Sequence, residues 1–122
     1  MLVDGRLEVM GTVAQVVIDT DDGGLLDRAF EHLADVAFRW SRFEPGSELS
    51  LLNAAGGMPV VVRPDTAELI AAAVDAWRRT EGRFDPSIHD ALVAAGYDRT
   101  FADGPGPAGV PQPSPGMADV QV

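Results

Sequence analysis

Few side chains in this chain are chemically equipped for catalysis. Cysteine is absent, which excludes thiolate nucleophiles, disulfides and cysteine-held zinc together. Lysine is absent too, so the lysine-bearing phosphate loop is excluded, and no Gly-x-Gly-x-x-Gly follows a strand pattern. The two histidines, His32 and His89, stand in unrelated segments. His32 falls in the middle of a helical pattern and reads as a plain helical residue. Ser87, His89 and Asp90 supply the residue types of a serine-histidine-aspartate relay, but neighbours this close in sequence cannot reach its geometry. Asp21-Asp22 reads as a solvated turn. Spacing by itself therefore defines no active site.

The whole chain has 122 residues, one compact domain's worth. Nineteen acids against nine bases, all arginine, leave a net charge of −10. A protein this acidic lacks the basic face that binds a phosphate backbone or an anionic lipid surface. No stretch approaches the roughly 18 continuous apolar residues of a membrane span. The start, Met1-Leu2-Val3-Asp4-Gly5-Arg6, lacks a signal peptide's basic and apolar regions. The expectation is a soluble chain, cytoplasmic by default.

Val9 to Thr20 alternates as a half-buried strand does, with Met10, Thr12, Ala14, Val16 and Ile18 on one face. Asp21-Asp22-Gly23-Gly24 then turns, and either aspartate can cap the helix predicted from Leu25 to about Ser41. Its apolar stripe is Leu26, Phe30, Leu33, Ala37 and Trp40. Phe43-Glu44-Pro45-Gly46 is a loop, and Ser47 caps a short helix over Glu48–Asn53. Met58 to Arg63 reads as a short strand. Asp65-Thr66-Ala67-Glu68 has capping-box form and opens a helix to about Glu81, with Leu69, Ile70, Ala73, Val74 and Trp77 inward. Gly82 suits the left-handed position after it. Phe84-Asp85-Pro86-Ser87 leads into a short helix, Ile88 to Ala95. These elements make an ordered domain over 1–102. Five of the nine prolines fall in 103–122, a loop or tail by composition, with a hint of strand only at Met117 to Val122.

Three segments carry more information together than apart. They are Met10-Gly11-Thr12, then Trp40-Ser41-Arg42-Phe43-Glu44-Pro45-Gly46-Ser47-Glu48-Leu49-Ser50-Leu51-Leu52-Asn53, then Thr80-Glu81-Gly82-Arg83-Phe84-Asp85-Pro86-Ser87-Ile88. In order and spacing they resemble the N-terminal half of the ApbE family, the FAD:protein FMN transferases once described as thiamine-biosynthesis lipoproteins. The resemblance runs from about Gly5 to Phe101. It implies an α+β fold, the first part of the T-fold-like ApbE transferase architecture. It also implies a Mg²⁺-dependent enzyme that cleaves FAD and passes FMN to a Thr or Ser hydroxyl of an acceptor flavoprotein. Carried over by position, Met10 packs against the flavin nucleotide and Phe43, where the family often has Tyr, stacks on a ring of FAD. Arg83, Phe84 and Asp85 match the nucleotide-contacting segment, and Ser87 replaces the usual Thr while keeping the hydroxyl.

The same residues carry plainer readings. Met10 fits a strand core, Phe43 covers the base of a helix, and Asp85 before Pro86 is a frequent turn former. Ser47 is a cap first, while Glu48 and Asn53 are helix-terminal residues. The family's later Asp-, Gly- and Thr-containing segments, which hold magnesium and serve transfer, have no counterpart in these residues. The expectation is a truncated or split transferase keeping part of the FAD site, inactive alone and able to pair with a polypeptide carrying the other half. The alternative is a non-catalytic flavin-binding or protein-interaction remnant. Open strand edges and partly uncovered helices would make such a chain marginally stable or self-associating.

Overall fold

The computed structural model describes the backbone of residues 1–122 and every side chain except that of Phe101. It is an α+β chain in the order β1 (Leu2–Val9), β2 (Thr12–Asp19), α1 (Leu25–Arg39), α2 (Glu48–Ala54), α3 (Pro64–Arg79), α4 (His89–Ala94), with a 3₁₀ turn at Phe101–Asp103. Two compact units divide it, Met1–Val60 and Val61–Val122. Residues 103–122 fall in the second unit.

In the first unit the expected single strand over Val9–Thr20 is a hairpin. β1 and β2 pair antiparallel from Leu2↔Asp19 to Val9↔Thr12. Met10 and Gly11, at φ 54 and 70, make the two-residue turn, whose backbone twist matches the strands only when both residues are left-handed. Met10 is therefore a turn residue, 69% exposed, and not the strand-face residue its alternation suggests. The inner face assigned to Ala14, Val16 and Ile18 holds, and Val3, Gly5, Leu7 and Val9 extend it on β1.

α1 lies across that face. A methyl group built on Gly5 would stand 2.8 Å from Phe30 Cζ and 3.2 Å from Leu26 Cδ2, so the helix approaches the strand where a side chain is missing. At the start of α1 the cap position is Gly24, with no side-chain cap bond. Asp22 instead accepts from the Gly24 N–H at 2.9 Å and from Arg28 Nη2 at 2.5 Å. Its carboxyl is held below the usual range, first by the Arg28 hydrogen bond. His32 is exposed, in keeping with a plain helical residue.

In the second unit Pro64, not Asp65, opens α3. Arg63 is extended ahead of it, as the residue before a proline prefers, and Pro is well suited to the first helical position. Asp65 lies inside the first turn, so the expected capping box does not form there. Val74 and Thr66 are buried, but Leu69 is 44% exposed and lies off the buried stripe. The segment 58–63 forms no strand. Pro59 lies within it and Pro64 follows it, and no ladder partner meets it among the described residues. Met117–Val122 is a turn, with the Val120 N–H bonded to the Met117 carbonyl, and not the start of a strand.

Replacing Gly5 by alanine sets a gain of about 0.4–1 kcal/mol from reduced chain entropy against overpacking of about 1–3 kcal/mol. Overpacking wins, because Phe30 offers a rigid ring edge. We expect Gly5→Ala to lower the melting temperature, while Gly23→Ala, with open space around it, leaves it nearly unchanged. Equal melting of both variants would contradict this packing.

Candidate functional site

Each unit carries a hydrogen-bonded, motif-bearing loop that presents an aromatic ring. In the first unit this is the link from α1 to α2. Ser47 is fully buried; its hydroxyl accepts from the Ser50 N–H at 3.0 Å and donates to the Ser41 carbonyl at 2.6 Å. The expected cap is thus present, and it also ties α2 back to the end of α1. Glu48, expected as a first-turn charge, has a further partner. Arg39, 7% exposed, donates to Glu48 at 2.9 Å and to Asp35 at 3.0 Å. A buried guanidinium requires such pairing. Between these ties, the Phe43 N–H meets Ser41 Oγ at 3.2 Å. The Arg42 guanidinium sits 4.2 Å from the centre of the Phe43 ring, a cation–π contact. Phe43 remains 40% exposed, so its ring edge and outer face are accessible.

The hairpin turn of this unit presents Met10. An open recess of about 440 Å³ lies against it, lined by Met10, Gly11 and their neighbours.

In the second unit the loop follows α3. Glu81 and Gly82 both take positive φ, 54 and 79. The Gly82 N–H bonds to the Trp77 carbonyl at 2.9 Å and the Glu81 N–H to the Arg78 carbonyl at 3.1 Å. That is a Schellman ending, with the left-handed cap on Glu81 and Gly82 continuing it. Thr80, at the C-cap, uses its hydroxyl twice. It donates to the Ala76 carbonyl at 2.8 Å and accepts from the Phe84 N–H at 2.9 Å. The chain is thereby turned so that Arg83 and Phe84 project outward; Phe84 is 48% exposed and Arg83 is exposed as well.

Asp85 faces the other way, into its own loop. One carboxylate oxygen accepts from both the Ser87 N–H at 2.9 Å and the Ser87 hydroxyl at 2.5 Å. The Ser87 hydroxyl in turn accepts from the Gly116 N–H at 2.9 Å. The hydroxyl of Ser87, then its N–H, then the side chain of Ser114 hold the Asp85 carboxyl below the usual carboxylate range. Sequence reasoning missed Thr80 as an organiser, although its place in Thr-x-Gly was the available signal. Ser114 and Gly116 gave no signal at all.

Arg83, Phe84 and Asp85 are thus brought onto one loop, and Met10 and Phe43 lie in the other unit. Chemically the second loop offers a cation, an aromatic face and ordered backbone groups, the set that holds a phosphorylated aromatic ligand. Among the described residues no group of three or more His, Asp or Glu gathers as a cation site. No helix among them is long and apolar enough to cross a membrane.

A two-stranded sheet with four helices, bearing these motif-built loops, defines a small α+β domain. Comparison with known proteins places it further. The ApbE family model matches residues 10–118, and the chain belongs to the ApbE family. Among solved structures it is similar to the ApbE protein from Thermotoga maritima, with TM-score 0.75 and 22% identity over 92% of this chain. It spans 36% of that protein's length. No curated protein matches the sequence.

Asp85 has only neutral hydrogen-bond partners, so its titration reads out the loop directly. With the folded pKa depressed, its bonds stabilise the loop above the usual carboxylate range and are lost as pH falls through the lowered value. We expect the Ser87 amide resonance to titrate with a midpoint below that of an ordinary aspartate. A midpoint at or above the ordinary value would contradict the bonding at this loop.

Proposed function

We propose that this chain supplies part of the FAD-binding surface of an FAD:protein FMN transferase. One observation carries the reading: the Thr80–Ser87 segment, which bears the family's motif, is fixed by internal hydrogen bonds while Arg83 and Phe84 project from it unengaged. In the reaction proposed, the pyrophosphate bond of FAD breaks and the FMN phosphorus bonds to a Thr or Ser oxygen of an acceptor flavoprotein. AMP leaves, and the hydroxyl proton passes to a base. Phe84 presents a face for a flat ring, and Arg83 a counter-charge for the phosphates. Asp85 acts on the loop rather than on the ligand. On its own unit, Phe43 is a second stacking face, and Met10 an apolar contact at the hairpin turn.

Mg²⁺ belongs to this proposal only through the family. Among the described residues no group of three or more His, Asp or Glu is gathered for it. The second reading, a flavin-binding module without transfer that serves a partner polypeptide or a flavoprotein, rests on the same exposed Arg83 and Phe84, groups that bind and position a ligand.

The test is a titration of the chain with FAD, followed by flavin fluorescence anisotropy, beside Arg83→Ala/Phe84→Ala. Both side chains are exposed, so the variant keeps its fold. Saturable binding is expected, weakened about tenfold or more in the variant, the size of a lost stacking and charge contact. No saturation at millimolar FAD, or equal binding by both proteins, would overturn the reading.

A further inference from the structure

The Pro-rich stretch after Asp103 would be a passenger by composition, yet it is tied into the second unit at several places, among them the Ser114 side chain on Asp85. The Gly106 N–H bonds to the Gly96 carbonyl at 2.6 Å, and the Gly109 N–H to the Ala94 carbonyl at 2.6 Å. A further tie is the Gly116 N–H on Ser87 Oγ at 2.9 Å, across 29 residues.

The Gly116 tie is the informative one, because of what else its atoms do. A serine hydroxyl has one proton to donate, and Ser87 gives its own to Asp85 while accepting from Gly116. Ser87 Oγ therefore joins the strap to the loop, and the Ser114 side chain on Asp85 lies beside it. Gly116 has φ +78, and a methyl group built on it would stand 3.0 Å from Trp77 Cζ2. A built methyl on Gly82, in the loop, would stand 3.6 Å from Trp77 Nε1. Both segments thus lie against the indole of Trp77, on the last turns of α3. Met117, next to the latch, is among the few buried apolar side chains. Pro111, Pro113 and Pro115 precede it, and their fixed φ angles reduce the entropy lost when the strap docks.

We infer that Ser87 and Gly116 are positioning residues, forming a latch by which the strap over residues 111–117 sets the order of the loop that presents Arg83 and Phe84. The latch deepens the flavin reading and rests on it for its functional consequence. Because coupling is reciprocal, a flavin nucleotide bound at Arg83 and Phe84 tightens the strap, and a released strap weakens the nucleotide's binding.

Hydrogen–deuterium exchange on the full chain, read by segment, tests this with Ser87→Ala, Ser87→Thr and Gly116→Ala. Ser87→Ala removes both bonds of the hydroxyl. We expect exchange to rise about tenfold or more both in the segment 82–88 and in 112–118. Gly116→Ala, driven against Trp77, is expected to do the same. Ser87→Thr keeps the hydroxyl and the original protection, and the hairpin 2–19 stays unchanged throughout. FAD is expected to slow exchange at 112–118 in the original chain and in Ser87→Thr, and to lose that effect in Ser87→Ala.

If Ser87→Ala loosens 112–118 alone, or nothing, the latch is refuted. Loss of protection over the whole chain in Ser87→Ala would refute it as well, in favour of a general role in folding. If the original chain binds no FAD, the flavin reading fails, while the exchange of 82–88 and 112–118 without ligand still decides the latch.

Discussion

Where α3 stops, the hydroxyl of Thr80 makes two bonds at once. It gives the Ala76 carbonyl a second donor beside the Thr80 N–H, and it receives the N–H of Phe84. Helix ends always leave carbonyls to be paired, and here that need is met in a way that also shapes the next four residues. Glu81 and Gly82 can take left-handed angles because the Schellman bonds hold them there. Arg83 and Phe84 then face outward as a consequence. A loop ordered in this way offers a ligand its contacts without first losing conformational freedom.

The same device recurs, and the composition explains why. Val36, Val74 and Met117 are the only buried apolar side chains among those described. A chain with so small a core has little apolar burial with which to fix its loops. Hydroxyls fix them instead, with Ser47 between α1 and α2, Thr80 after α3, and Ser87 between loop and strap. Each is both donor and acceptor, so each joins two segments with one short side chain. The buried Arg39, paired with Asp35 and Glu48, adds a charged tie in the first unit. The segments that match the family's motifs are largely the segments these side chains order.

Much of this was legible in the sequence where periodicity is strong. The Ser47 cap, the inner face of β2 and most of the α1 and α3 stripes follow from apolar spacing and end chemistry, although Leu69 is exposed and the buried Val36 lies outside the expected α1 stripe. β1 was hidden because its inward row contains Gly5, which weakens the alternation. That glycine is explained only by the Phe30 ring packed over it. Met10 was misplaced because a two-residue turn does not interrupt the alternation of polar and apolar residues around it. The 58–63 segment has strand residues but no partner strand, and propensity cannot supply one. The motif residues Arg83, Phe84 and Asp85 were found by resemblance. Their different orientations, two outward and one turned into the loop, depend on hydrogen bonds that no spacing reveals.

The loop after α3 is ordered before any ligand arrives, by the hydroxyl of Thr80. The amide proton of Phe84, followed by NMR hydrogen exchange in the free chain, reads this directly. The structure predicts a protected Phe84 amide in the original protein and, in Thr80→Val, a rate close to that of an unstructured peptide, with the amides in the middle of α3 still protected. A Phe84 amide that already exchanges freely in the original chain would contradict the account.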